Sequence, residues 1–352
     1  MRKTRKFQLG MDCSGGRLAH GSRCVHVVSR TAGQLILFED QDREIFHKIL
    51  FKQLKFSGVR VIAWCFMGNH IHLLLEVPDR EQALAALGVE DILSRLSVFS
   101  GEMSTKFLQK EIDLRRSLKD EEGLRQIAER VSKRLFDLSM FMKEMKLRMT
   151  QAFNFAHGRT GALWEGRFKS LLVEGGEAVR VVAAYIDLNP VRAGLVKEPE
   201  AYRWCSYAAA LGGMRLSRAG LVSAVSYERK IPWKQALERY RKFLYGIGQE
   251  VEGDVASGGV QKSKGGFGQR EIEAVWEAGG KLTLAQALRC RIRYFSDGVV
   301  LGSQGFVDEF FEGQRDGFGE RRTGGGRRMK GADWGALRTL RNLRDGVIQL
   351  VG

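Results

Sequence analysis

Residues 59–77 read VRVIAWCFMGNHIHLLLEV and form one of the most apolar runs in the chain. Two valine-, isoleucine- and leucine-rich halves flank a short turn at 67–69, which is the pattern of a β-hairpin. Because side chains alternate between the two faces of a strand, His70 and His72 point the same way. Two imidazoles about 6–7 Å apart along a strand can bind one cation, but a solvated sheet face explains them equally well.

Strand and helix patterns continue on both sides of this hairpin. Alternating or glycine-bounded apolar runs predict strands, and apolar positions at helical spacing predict helices. The predicted elements are a strand at 23–30, a helix at 40–58, the hairpin, a loop running into a strand at 157–174 and a helix at 177–189. Asp40 or Asp42 can cap the first helix, and Gly58 ends it. This order predicts an α+β fold of the ferredoxin-like type: an antiparallel four- to five-stranded sheet with helices packed on it.

The remaining segments divide the chain into further predicted units. The predicted boundaries are a first domain at 1–212 that contains a charged helical segment at 79–130, a helical extension at 213–247, a Gly/Ser-rich linker at 248–269 and a small basic module with an Arg/Gly-rich tail at 270–352. The C-terminal extension is expected to be mostly helical. The linker follows from its low hydrophobicity and its many glycines.

Composition narrows the classes of function. The 352 residues contain 57 Lys+Arg against 41 Asp+Glu, and the net charge of +16 favours a polyanionic partner, most often nucleic acid. Five scattered cysteines without a CxxC pair argue against a disulfide framework and predict a reducing cytoplasm. No apolar run is long enough to predict a membrane span, and no phosphate-binding glycine loop predicts a nucleotide.

A second pair of polar residues lies near the end of the 177–189 helix. Tyr185 and Asn189 are four residues apart, so they share one helical face. A phenol and an amide near two imidazoles can supply a nucleophile and a third metal ligand. Taken by themselves, a half-buried tyrosine and a helix-ending asparagine before Pro190 are the favoured interpretations.

Three blocks carry a family resemblance. CFMGNHIHLLLEV, GALWEGRFKSLLVE and YIDLNPVRAGLVKEPEAYRWCSY, preceded by the strand VHVVSR, resemble the characteristic blocks of the REP-associated tyrosine transposases, which belong to the HUH single-tyrosine transposase superfamily. The resemblance covers about residues 20–212 in the right order. Within it, 79–130 is interpreted as an insertion, and Gly68 stands where the family usually has a proline. Residues 213–352 lie outside it.

The resemblance implies a site and a reaction. His70, His72 and Asn189 would bind Mg²⁺ or Mn²⁺, and Tyr185 would attack the scissile phosphate of single-stranded DNA to form a 5′-phosphotyrosine. The implied partner is DNA with hairpin-forming, REP-like repeats, in a nucleoid-associated cytoplasmic protein. A homodimer is compatible with the superfamily, whose members place the tyrosine either in cis or across a dimer.

Basic and aromatic residues of the matched blocks are candidates for DNA contacts or for structural roles. Four cations are candidates for contacting DNA phosphates: Arg159, Arg167, Lys169 and Arg192. Ion pairs of Arg167 and Arg192 with Glu165 or Asp187 are an equal alternative. For Trp164 core packing is favoured over base stacking, and for His26 a structural role is favoured.

Two other functions remain open at this stage. A domesticated descendant would bind hairpin DNA without cleaving it, although all four site positions are filled. A metal-dependent phosphodiesterase would use the two histidines and an activated water, and it would not need Tyr185.

Overall fold

The computed structural model of the chain describes residues 21–99, 102–226, 231–246, 284–288, 291–318, 322–340 and 348–349. The predicted linker at 248–269 lies outside these residues. None of the described helices is both long enough and apolar enough to cross a membrane.

A seven-stranded, mostly antiparallel sheet lies at the centre of the fold. In spatial order its strands are β2 (Arg60–Phe66), β3 (His70–Val77), β1 (Arg23–Arg30), β4 (Lys169–Val173), β6 (Val300–Gly302), β8 (Arg338–Thr339) and β7 (Arg327–Arg328). All neighbours are antiparallel except β4 and β6. A separate two-stranded ladder joins β5 (Arg291–Ile292) to β9 (Ile348–Gln349).

The α+β class is confirmed, but the predicted count of four to five strands is wrong. The additional strands β6, β7 and β8 come from the C-terminal extension, which was predicted to be mostly helical. Each contains only two or three residues, too few to show the two-residue periodicity of a strand. Their pairing depends on partners that are distant in sequence, so it is decided by tertiary structure.

Fourteen α-helices are described around these strands. They are α1 (Asp40–Ser57), α2 (Arg80–Ala85), α3 (Val89–Ser94), α4 (Met103–Ser117), α5 (Glu121–Ser132), α6 (Leu138–Ala156), α7 (Glu177–Asp187), α8 (Asn189–Arg192), α9 (Ser206–Leu211), α10 (Arg215–Val225), α11 (Trp233–Gly246), α12 (Leu284–Leu288), α13 (Arg293–Asp297) and α14 (Gln304–Gly313). Glu39 is the N-cap residue of α1, and its N–H donates to Asp42 Oδ2 at 2.9 Å. Gly58 ends α1 with φ of +76°, as predicted.

Buried apolar side chains form two clusters. The larger one surrounds the sheet and includes Trp164, which is 9% exposed and packs beside Phe38 with ring centroids 5.7 Å apart, in agreement with the core-packing prediction. The smaller one lies among α3, α4 and α5 and uses Phe56 and Phe136 to contact the rest of the chain. The helical segment after β3 therefore has a core of its own.

The predicted helix at 177–189 is interrupted just before its end. α7 ends at Asp187, Leu188 is its C-cap, and α8 then begins at Asn189. Pro190 lies in the first turn of α8, where its missing N–H removes no helical hydrogen bond. The break gives Asn189 a position at the start of a new helix rather than at the end of the old one.

Candidate active site

Three histidines share one face of the sheet. In the β1/β3 ladder Val28 pairs with His72, and His26 pairs with Leu74. Residues opposite one another in a ladder lie on the same face, and so do residues two apart along a strand. His26, His70 and His72 therefore point to the same side.

His26 determines how His72 is protonated. His26 Nδ1 is 3.1 Å from the backbone oxygen of Phe295, and this carbonyl can only accept, so Nδ1 donates. A neutral imidazole has one N–H, which leaves His26 Nε2 as an acceptor for His72 Nδ1 at 2.9 Å. His72 consequently carries its proton on Nδ1, and its Nε2 has a free lone pair. That is the tautomer a cation ligand needs.

A parallel chain of hydrogen bonds orients His70. Asn69 Nδ2 donates to the backbone oxygen of Gln34 at 3.0 Å, so Asn69 Oδ1 faces His70 and accepts from Nδ1 at 2.6 Å. His70 Nε2 is then an acceptor, and Asn189 Nδ2 donates to it at 3.1 Å. Asn189 thus lies directly beside the lone pair that a cation would take.

Burial keeps all three imidazoles neutral. It lowers the pKa of His26 to about 4 and the pKa of His70 to about 3, with the guanidiniums of Arg30 and Arg192 adding to the effect on His70. Burial and the two neighbouring histidines lower the pKa of His72 well below its usual range. At neutral pH the site therefore presents lone pairs rather than positive charges.

Tyr185 reaches the same place from α7. Its ring centroid lies 6.0 Å from that of His72 and 6.4 Å from that of His26, both edge to face. The guanidinium carbon of Arg192 lies 3.8 Å from the centroid of the Tyr185 ring, and the Phe295 ring lies 4.9 Å away. Tyr185 is only 3% exposed. One chain alone brings together Tyr185, Asn189 and both β3 histidines.

A buried carboxylate anchors the helix that carries Tyr185. Asp187 Oδ1 accepts from Ser206 Oγ at 2.7 Å and from Tyr207 N at 3.0 Å, and Oδ2 accepts from Tyr240 Oη at 2.6 Å. Burial raises the pKa of Asp187 to about 6, while these three hydrogen bonds act in the opposite direction. The carboxylate joins the end of α7 to α9 and α11.

The four cations predicted to contact DNA differ in their surroundings. Arg167 is exposed, and Arg159 is exposed with its guanidinium 5.5 Å from the Phe153 ring centroid. Lys169 pairs with Asp297 at 2.7 Å. Arg192 is 8% exposed and donates to the Leu288 oxygen at 3.0 Å.

Several residues of the site were missed from sequence. Asn69 and Phe295 were assigned no part in it, Asp187 was considered only as an ion-pair partner, and His26 was given only a general structural role. Phe295 lies in a segment whose position on the sheet no local pattern indicates, and it acts on His26 through its backbone. The sequence signal was the position of His26 in the alternating pattern of its strand. That position assigns His26 to one face of the sheet but does not identify the residue it contacts.

The donor set fits a divalent cation only in part. Among the described residues, no group of three or more His, Cys, Asp or Glu side chains is arranged to hold a metal ion. The possible ligands are two imidazoles and one amide. The Nε2 lone pair of His72 is free, and that of His70 accepts a hydrogen bond from Asn189 that a cation could replace. Water or phosphate oxygens would have to complete the coordination shell. In chemical type this set suits Mn²⁺ better than Mg²⁺.

Comparisons with known proteins give one remote likeness. No family model and no curated protein matches the chain. A solved structure of a REP-associated tyrosine transposase bound to a REP hairpin is similar at 16% identity and a TM-score of 0.34, covering 60% of this chain and 93% of that one. At this TM-score the likeness assigns no activity to the chain.

Proposed function

We propose that the chain is a metal-dependent enzyme that nicks and rejoins single-stranded DNA at hairpin-forming repeats through a 5′-phosphotyrosine. The observation that supports this most is that Asn189 donates to His70 Nε2 while the Tyr185 ring lies edge to face against the His72 ring, with centroids 6.0 Å apart. A phenol beside two neutral imidazoles and an amide is an arrangement suited to phosphoryl transfer.

His70 and His72 would bind Mn²⁺ or Mg²⁺ through Nε2, with Asn189 as third ligand. Asn189 would exchange its present hydrogen bond to His70 for a contact through Oδ1, which needs only a turn of the amide. When bound, the cation would supply Lewis-acid stabilisation of the charge on the scissile phosphate. His26 and Asn69 would keep both imidazoles in the tautomer that binding requires.

Tyr185 would attack the phosphorus. Its Oη forms a bond to phosphorus as the bond from phosphorus to the 3′ oxygen breaks, the phenol proton passes to water, and the 3′ oxygen takes up a proton. A second 3′-OH reverses these steps, so the diester is conserved and no nucleotide is consumed. The positive charge of Arg192 against the Tyr185 ring favours the negative charge that develops on the phenol oxygen.

The same site must open before DNA can reach it. Tyr185 is 3% exposed, and the Phe295 ring packs on it at 4.9 Å. A phosphate therefore gains access to Tyr185 only when residues that pack on its ring, such as Phe295 and Arg192, move aside. This burial favours, as a second candidate, a protein that binds hairpin DNA without cleaving it.

One assay separates the candidates. The protein is incubated with Mn²⁺ and a labelled single-stranded hairpin oligonucleotide, and the products are run on a denaturing gel. We expect a covalent protein–DNA adduct that disappears in Tyr185→Phe and persists in Tyr207→Phe, a matched control that removes another buried phenol oxygen, bonded to Arg241 at 2.9 Å. Cleavage that survives Tyr185→Phe would instead indicate a water-using phosphodiesterase. Binding without cleavage at any metal concentration would indicate the second candidate.

A further inference from the structure

Arg30 is the last residue of β1, and its side chain lies on the face of the sheet that carries the histidines. It pairs with His70 in the β1/β3 ladder, and residues opposite one another in a ladder project to the same side. Its position four residues after His26 in an unbroken strand gives the same direction. Arg30 is therefore a neighbour of the candidate active site, although no step of the proposed reaction uses it.

The charge of Arg30 acts on the imidazoles and on the phenol of this site. Burial lowers the pKa of His70 to about 3, and the Arg30 guanidinium is the strongest of the charged groups that add to this effect. Burial also lowers the pKa of Arg30, while the phenol of Tyr185 acts in the opposite direction. These effects require the guanidinium to be near both the histidines and Tyr185.

The Arg30 guanidinium has no bonded partner in the part of the chain that the structure describes. Its side chain makes no hydrogen bond and no ion pair there, although it is half-buried. A guanidinium stays protonated in proteins, so it cannot avoid the cost of burial by losing its charge. Because buried charges are normally paired, its N–H donors are suited to an anion that comes from outside the chain.

Two carboxylates act on Arg30 without pairing with it. Asp297 is shared by Lys169 at 2.7 Å and Arg293 at 3.4 Å. Glu165 raises the pKa of Arg30, as Asp297 does, but neither forms an ion pair with it. The acidic side chains at this edge of the site therefore leave the charge of Arg30 uncompensated.

Two further guanidiniums lie around the same imidazole. Arg192 and Arg291, like Arg30, add to the lowering of the His70 pKa. Three positive charges around one neutral ring repel one another, which raises the energy of the site without an anion. A phosphate diester carries one negative charge, and its two non-bridging oxygens match the bidentate geometry of a guanidinium. Such a group would both reduce the repulsion and use the free donors of Arg30.

We propose that Arg30 binds a phosphate of the single-stranded DNA backbone and holds it beside Tyr185. The guanidinium would donate to the two non-bridging oxygens of that phosphate. An arginine that stabilises the charge spread over these oxygens in the transition state accelerates phosphoryl transfer. The inference rests on the proposed function for the identity of the ligand, but the contact itself can be measured without cleavage.

Salt-dependent DNA binding in EDTA tests the contact. The full chain is titrated with a labelled single-stranded hairpin oligonucleotide, and log Kd is measured as the salt concentration rises from about 50 to 200 mM. Arg30→Gln should raise Kd about tenfold and lower the slope by about 0.7, the value for one phosphate contact on a single strand. Arg30→Lys keeps the charge but loses the bidentate geometry, so it should keep the slope and lose part of the affinity.

Arg23→Gln is the matched control. It removes one positive charge from the first residue of the same strand, on the opposite face of the sheet, and should change neither the slope nor Kd. A slope that Arg30→Gln leaves unchanged would overturn the inference, because no phosphate contact would then have been lost.

Single methylphosphonates, each of which removes the charge of one phosphate, identify the phosphate that is bound. The native chain should lose affinity at one position where Arg30→Gln loses none, and both should respond equally elsewhere. Circular dichroism checks folding, and Arg30→Lys, with a weakened response at that position, replaces Arg30→Gln if the latter does not fold.

The two proposals fail in different ways. Identical methylphosphonate patterns in the native chain and the variants would overturn the Arg30 contact, even where the adduct with Tyr185 forms. A phosphate contact of Arg30 without any adduct would instead overturn the proposed cleavage and support the Arg30 contact in a protein that only binds DNA.

Discussion

β1 and β3 hold the three histidines through an eight-residue ladder, whereas Phe295 reaches His26 from α13, a five-residue helix that follows α12 in the sequence. The first region places side chains by regular pairing, so their direction follows from position along the strand. The second acts through one backbone oxygen and one ring. The donors of the site thus lie on a regular ladder, whereas the ring that packs on Tyr185 belongs to a short helix of the same hydrophobic core.

Phe295→Ala should produce the largest loss of stability, mainly in residues 291–318. Removing a buried phenyl ring costs about 3–5 kcal/mol, while the backbone oxygen that orients His26 remains. Hydrogen exchange should therefore accelerate in residues 291–318 and stay slow in β1 and β3. Phe310→Ala, a buried ring of α14, is the control that should not expose Tyr185. Equal acceleration in β1 and β3 would show that the two regions unfold together.

Asp187→Ala should weaken the attachment of α7 to its neighbours. It leaves the hydroxyls of Ser206 and Tyr240 and the N–H of Tyr207 without their buried acceptor, at a cost of about 3 kcal/mol in the free energy of unfolding. Tyr240→Phe removes only one of these bonds and should cost about 1 kcal/mol. Urea unfolding of both variants gives the comparison, and equal losses would contradict the anchoring role.

His26→Phe should affect cation binding more than stability. It keeps a ring of similar shape but removes the acceptor that holds His72 in its tautomer. The loss of such a supporting hydrogen bond typically weakens metal affinity by 10- to 100-fold, so Mn²⁺ titration of the variant should show a Kd raised by about that factor. Unchanged affinity would mean that His26 only packs, as a lone strand histidine commonly does.

Lys146, whose Nζ lies 5.3 Å from the centroid of the Trp164 ring, should produce the smallest effect. Burial lowers its pKa to about 8, and its Nζ donates to the Gly166 oxygen at 2.6 Å. Because the unfolded chain keeps this proton to higher pH, the Lys146 contribution to stability should rise as pH increases from about 8 to 10. The difference in unfolding free energy between the native chain and Lys146→Met should show that rise; a flat difference would refute it.

Some features of the site could be predicted because they depend on local periodicity. The two-residue period of a strand places His70 and His72 on one face, and the helical period brings Tyr185 and Asn189 together despite the break at Leu188. The hairpin and the end of α1 at Gly58 were predicted for the same reason. In each case the residues involved are neighbours in sequence, so their relation is nearly independent of the rest of the fold.

The amino-acid sequence by itself determined the α+β class, the central hairpin and which donor residues could face one another. Tertiary structure alone decided that Asn189 meets His70, that Phe295 covers Tyr185, and that two- and three-residue strands extend the sheet to seven. It also decided that Arg192 packs on the Tyr185 ring instead of reaching solvent. The physical reason is that these contacts join residues far apart in sequence, and their stability comes from burial against partners that no local pattern specifies.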